Sequence, residues 1–297
     1  MIWLGAKRGY LTDWFTQRWV ELTGTRVDLG LARWLEAPVG KPAGIGRDFF
    51  DVLARESNLK VRRAGPGEGL VDDFSRLSGP GFDPARVHAQ VITFYEQTAG
   101  YELDAWAEWS AAFRPFGSLL AVLFSRRLQQ LNVPLSALDT SRGMTSEVIK
   151  LQHPETGEVR YTAWVRTLVS RGDVVYAGNY SVCSIPGYDG PCVKVAFPLP
   201  NGNAIVIMRP QAHEDGSLSI TSSGERLGDP GFYLTVHGER GAVWVRYVRT
   251  MRERIHVYAG ENGEVRADHL LTLWGSTFLR IHYRLRLRKV ERHLSQT

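Results

Sequence analysis

The chain has 297 residues, 43% apolar and 23% charged, with 30 glycines and 14 prolines. These proportions describe a folded globular protein and exclude a collagenous or wholly disordered one. Two cysteines are too few to staple a fold of this length, so disulfides do not hold it together. The net charge of +5 gathers at the end, where residues 240–297 carry 12 basic and 5 acidic side chains. Without zinc-finger spacing, basic-region heptads or an RNA-recognition aromatic motif, that excess makes nucleic acid a poor candidate partner. The longest uninterrupted apolar run, 119–124, is far short of the roughly 18 residues a membrane span needs. Residues 1–6 lack the basic start of a signal peptide and run straight into Lys7 and Arg8. A soluble, cytoplasmic protein is expected.

Up to residue 143 the apolar residues recur at helical spacing. Thr12 stands where it can cap a helix reaching Leu22, with Trp14, Phe15, Trp19 and Leu22 on one face and Gly24 ending it. That aromatic face is expected to pack on the rest of the protein. Residues 38–46, rich in Pro and Gly, read as a linker. A second amphipathic piece starts at Asp48, with Phe49, Phe50, Leu53 and Ala54 together. Asp83-Pro84 is the clearest helix start, and Val87, Val91, Phe94 and Tyr95 follow it on one side. Leu103, Trp106, Trp109 and Phe113 predict a continuation, and a further helix is expected over 117–132.

From residue 144 the period becomes two. The strictest alternation sets Leu279, Ile281, Tyr283, Leu285 and Leu287 against Arg280, His282, Arg284, Arg286 and Arg288. Asn201-Gly202, Asp215-Gly216 and Asn262-Gly263 suit two-residue hairpin turns, whose central residues take positive φ. About ten strands joined by hairpins make an antiparallel meander, and curling or closing it removes exposed edges. The expected class is therefore α+β. Helices in 1–143 pack on a curled sheet or β-barrel in 144–297, as one integrated domain.

Several phrases in the strands are distinctive: Ala163-Trp-Val-Arg166, Ala196-Phe-Pro-Leu-Pro200, Ser219-Ile-Thr-Ser222, Asp229-Pro-Gly-Phe-Tyr-Leu234 and Trp274-Gly-Ser-Thr-Phe-Leu279. With Phe94-Tyr-Glu-Gln-Thr98 they resemble the soluble C-terminal region of the YndJ-like family of bacterial membrane proteins, over about residues 85–287. The resemblance implies an uncharacterised bacterial α+β protein and supplies no catalytic residues. The chain departs from that family in having no membrane-spanning run.

No strong catalytic motif stands out. Gly-x-Ser-x-Gly and His-Glu-x-x-His are both absent, so neither a nucleophile elbow nor a zinc helix is expected. No metal and no cofactor are predicted. Asp268 and His269 are neighbours on a strand and point to opposite faces, whereas His256 and His282 come together only if their strands adjoin.

Trp-Val-Arg occurs twice, and the two-residue step sets Trp164 beside Arg166 and Trp244 beside Arg246. Arg280 and His282 share a face in the same way. If these faces line the inside of the sheet, they form a cavity with aromatic walls and cationic anchors. Such a cavity suits an amphipathic, lipid-like acid. If they face outward, Arg covers Trp in water by cation–π contact. Two other classes remain beside this binding module: a membrane-surface or protein interaction module, and a hydrolase whose site has no motif.

Overall fold

The computed structural model describes residues 2–42, 45, 48–110, 113, 144–168, 172, 174–238 and 241–288. The helix expected over 117–132, and residues 43, 44 and 46 of the linker, lie outside the described residues. In chain order the N-terminal part contains α1 (Leu11–Thr23), β1 (Thr25–Val27), α2 (Phe49–Glu56), β2 (Lys60–Arg63) and α3 (Ala89–Glu96). Strands follow: β3 (Tyr101–Trp109), β4 (Met144–Gln152), β5 (Val159–Leu168), β6 (Val174–Cys183), β7 (Cys192–Leu199) and β8 (Gly202–Ala212). The last six are β9 (Leu218–Thr221), β10 (Phe232–His237), β11 (Val243–Tyr247), β12 (Met251–Ala259), β13 (Val265–Leu273) and β14 (Ser276–Leu287).

Ten of these strands form a closed antiparallel barrel, in the order β8, β7, β6, β5, β4, β3, β14, β13, β12, β9 and back to β8. The fold is the expected α+β barrel. Closure is possible because β8 is long enough to change partner along its length. Its first half, Gly202 to Val206, pairs with β10, and its second half, Arg209 to Ala212, pairs with β9. The β10 branch continues into β11 and β1 as a small flanking sheet. Gly202 is required at the fork, since a Cβ there would lie 1.9 Å from the Thr235 carbonyl oxygen. The seam between β3 and β4 is thin, a single residue pair, Leu103 with Met144.

Strand β3 corrects one expectation. Leu103, Trp106 and Trp109 fit a helical step, yet residues 101–109 are a strand paired along their whole length with β14. Tyr101, Leu103 and Ala105 are buried inside while Glu102, Trp106 and Glu108 are exposed. A three-residue spacing is ambiguous by itself, and pairing with the strictly alternating β14 decides it.

The largest core lies within the barrel. Leu103, Val148, Trp164, Val195, Phe197, Val206, Leu279 and Leu285 from the wall meet Val91, Phe94 and Tyr95 of α3. Asp83 caps only a short turn, accepting from the Ala85 amide. The helix itself starts after His88, whose Nδ1 accepts from the Gln90 amide at 3.2 Å. Two smaller cores lie outside the barrel wall. One includes Ile205, Ile207, Tyr233 and Leu35, and the other sits beneath Phe49, Phe50 and Ala54 of α2.

Helix α1 reverses its expected orientation. It buries Asp13, Gln17 and Val20, with the Gln17 amide donating to the Pro200 carbonyl at 3.1 Å. Phe15, Trp19 and Leu22 stay exposed. The physical reason is the docking partner, a polar turn at Pro200–Asn201 that matches the amide side of the helix. Gly24 follows as expected, because a Cβ there would lie 2.6 Å from the Val245 carbonyl oxygen. Cys183 and Cys192 pair directly across β6 and β7 as free thiols, and burial raises them to about 11 and about 12.

Candidate functional site

Strand β5 carries Trp164 and Arg166 into the barrel, and both are buried. Their neighbours across β4 are Val148 and Ser146; across β6 they are Gly178 and Tyr176. The indole Nε1 of Trp164 donates to Ser146 Oγ at 2.7 Å. Gly178 lets the Tyr176 ring fold over the strand; a Cβ there would sit 2.8 Å from the phenol oxygen. Tyr176 in turn donates to the Tyr180 hydroxyl at 2.5 Å.

The Arg166 guanidinium lies among three rings. Its Cζ is 3.6 Å from the centroid of Trp164, 4.6 Å from Tyr176 and 5.0 Å from Tyr283. Tyr283 reaches it from β14, flanked on neighbouring strands by Ala105 and Ala267, which leave room for the ring. Arg166 is 6% exposed and its Nε has no hydrogen-bond acceptor. Among the described residues no carboxylate lies within ion-pair distance of it. Burial raises the Tyr180 phenol to about 12, and the nearby Arg166 charge opposes that rise. Tyr176 is also raised well above the ordinary phenol value, again mainly by burial.

A second polar group faces the same interior. Glu253 of β12 and His269 of β13 occupy inward positions and meet at 3.0 Å, with side-chain exposures of 10% and 14%. The His269 ring stacks on Tyr283 at 6.5 Å, so Tyr283 touches both this pair and Arg166. Sequence reading passed over this pair. Its signal is a charged residue in the inward series Met251, Glu253, Ile255, Val257, and a histidine in the series Val265, Ala267, His269, Leu271.

The six residues expected to share one cavity are divided. Trp164 and Arg166 are inside. Trp244 and Arg246 belong to β11 in the flanking sheet, where Arg246 Nη1 donates to the Thr23 carbonyl at 2.6 Å and the Arg246 Cζ lies 5.7 Å from the centroid of the Trp19 ring. Its charge closes the C-terminal end of α1, where orphan carbonyls favour a cation. Arg280 and His282 lie on the outer wall, because their neighbours Leu279 and Ile281 are the inward residues of β14. There His282 Nδ1 meets Asp268 at 2.6 Å and the ring stacks on Trp106 at 5.7 Å. His256 and His282 do not adjoin: β13 runs between their strands and sets Asp268 between the two histidines in the same cross-strand row.

The outer face of β12–β14 is an ion-pair surface. Glu264 holds Arg266 at 2.6 Å and Arg284 at 2.7 Å, and Arg286 meets Asp104 at 2.8 Å. A lipid-facing barrel wall carries an apolar band instead. No helix among the described residues is long and apolar enough to cross a membrane.

No protein-family model matches the chain, and no solved structure does. Among curated proteins it is similar to the uncharacterized membrane protein YndJ of Bacillus subtilis (strain 168), 29% identical over 241 residues. The match takes in 80% of this chain and 41% of that protein, so the chain spans about two-fifths of the relative's length. The strand phrases and the alignment agree, and the chain has a YndJ-like relationship, weak in identity, across four-fifths of its length.

Proposed function

We propose that the barrel binds an amphipathic acid, with its anionic head on Arg166 and its apolar body along the ring-lined interior. The observation that supports this is the state of the guanidinium. Taking a cation out of water costs several kcal/mol even after relaxation, and three aromatic faces return on the order of 2 kcal/mol each when desolvated. An anionic head supplies the counter-charge that the described residues do not, and it accepts from Nε. The Glu253–His269 pair then faces a polar group further along the same molecule.

Native mass spectrometry of the purified full chain tests the reading, together with displacement of cis-parinaric acid by oleic acid. Arg166→Met is expected to weaken oleate by about 1.5–3 kcal/mol, the scale of one charged hydrogen bond. Arg246→Met serves as the control and leaves binding unchanged, since that side chain caps α1. Equal loss in both variants, or no probe binding by the wild type, overturns the proposal.

A second reading, docking on an anionic membrane surface, has its own observation. Helix α1 presents Phe15, Trp19 and Leu22 at 60%, 43% and 83% exposure, with Ile2 and Trp3 nearby in the chain and also exposed. Exposed aromatics next to arginines are the composition of interfacial helices, and the similar YndJ is named a membrane protein. Cosedimentation with phosphatidylserine vesicles at low salt should fall several-fold in a Phe15→Ser/Trp19→Ser variant with an unchanged urea midpoint. Retention of full binding by that variant rejects this reading.

A further inference from the structure

A groove of about 580 Å³ opens on the outer wall, on the opposite side of the strands from Arg166. Arg86, Gln211, His213, Asp215, Arg254 and His256 line it. At its base Ser219 is 2% exposed, with Oγ 2.8 Å from His213 Nε2 and 3.2 Å from His256 Nδ1. Arg254 donates to the same oxygen at 3.4 Å. The two imidazole rings are 5.4 Å apart and inclined at 70°.

A serine hydroxyl has one hydrogen to give. Of the two ring nitrogens that meet it, one accepts that hydrogen and the other must donate its own. The histidines are therefore coupled through Ser219, and exchanging their roles takes a turn of the O–H bond together with a change of tautomer in both rings. Ser219 is filled by these bonds and buried, so it bridges the pair and is no nucleophile. Burial, His213 and Arg254 all lower His256 below its ordinary value, while Asp215 and Asp268 pull the other way. Tyr258 also lies against the His256 ring, at 5.5 Å. Asp215 is itself held low, chiefly by the Ser217 hydroxyl and amide on its Oδ1 at 2.6 and 2.9 Å. Such an arrangement disfavours two charged rings and leaves one vacancy for a proton.

We propose that this groove binds a phosphoryl dianion, with Arg254 and Arg86 on its oxygens and one proton taken up by the Ser219-bridged histidine pair. Among the described residues neither arginine is engaged by a carboxylate, and guanidinium forks match phosphoryl oxygens. A phosphate ester carries close to two negative charges at neutral pH. The two arginines face two carboxylates at the rim, Glu214 and Asp215, so the shared proton tips the balance toward the anion. An organic phosphate ester and free inorganic phosphate offer the same group.

Titration calorimetry with phenyl phosphate, repeated in PIPES and in Tris at pH 7, reads both binding and proton uptake. The expected result is a heat that differs between the buffers by a substantial fraction of one proton per phosphate bound. Arg254→Met, at an exposed position, weakens binding at least tenfold. Ser219→Ala keeps binding within a few-fold but reduces the uptake. If that variant unfolds, the His213 and His256 ring protons of the wild type, followed by NMR, should titrate at higher pH with phenyl phosphate present. A parallel titration with inorganic phosphate separates the sources: tighter phenyl phosphate indicates an organic ester, and equal affinity the free ion. Absence of binding at millimolar concentration overturns the proposal, as does binding without buffer dependence or binding that Arg254→Met leaves intact.

Discussion

Ser146 supplies the acceptor for the buried indole N–H, and that single bond fixes the Trp164 ring against Arg166. Ser146→Ala leaves a buried indole N–H without an acceptor, which should cost about 1–3 kcal/mol. Ser146→Thr keeps the oxygen and should recover part of that loss; urea unfolding of both variants provides the comparison. Glu68 offers a prediction in pH. Its bidentate pair with Arg62, at 2.6 and 2.7 Å, and the nearby Lys150 hold the carboxyl down to about 2 from an ordinary 4.5. A lowered folded-state value means stability that is complete above pH 4.5 and is lost as pH falls toward 2. The acid limb of a stability–pH curve should therefore flatten over that window in Glu68→Gln, and an unchanged limb would show the pair to be inert. At this scale the sequence could say that Trp164 and Arg166 share a face. It could not say which face, because alternation looks the same from either side of a sheet. The same ambiguity sent Arg280 and His282 outward, and it hid Glu253 and His269, which meet only once β12 and β13 are in register.

Among the elements, α3 is the one on which the barrel core closes. Phe94 is 4% exposed and its ring meets Tyr101, Tyr95 and Trp164 at 5.4, 5.1 and 6.1 Å. Phe94→Ala should destabilise by about 3–5 kcal/mol, the usual cost of emptying an aromatic site in a core. Thermal unfolding that shifts by only a degree or two would show instead that the interior relaxes around the gap. Helix α3 was legible from its apolar face, although the start signal at Asp83-Pro84 belongs to a separate short turn and His88 caps the helix, and the hairpins were legible from their turns. Asn201, Asn262 and Gly216 all take positive φ where the sequence places turns. Two things were not legible. The fork in β8 leaves no local mark beyond Gly202, and β3 had a helical spacing overruled by its partner. Helix α1 was read to within a turn, Thr12 lying inside it and Tyr10 at its cap, but with the wrong side inward, because amphipathicity identifies a face without naming what it packs on.

For the whole molecule, most neighbouring strands in the barrel are also neighbours in sequence. The exceptions are β9 with β12, which β10 and β11 separate along the chain, and β3 with β14, whose pairing sets Tyr101 opposite Leu287 and Leu279 opposite Trp109. During synthesis at about 5–20 residues per second, β3 waits on the order of ten seconds or more for the strand that completes it. Helix α3 waits nearly as long, since it packs against β12 and β13. Until then the edge of β3 is an open template for another chain, and the thin seam to β4 offers little protection. Chains stopped after residue 275 should accordingly be protease-sensitive and aggregate, whereas the full chain resists. The dozen residues of β14 thus act as a ring clasp, and of the barrel strands it is the one the ribosome delivers last.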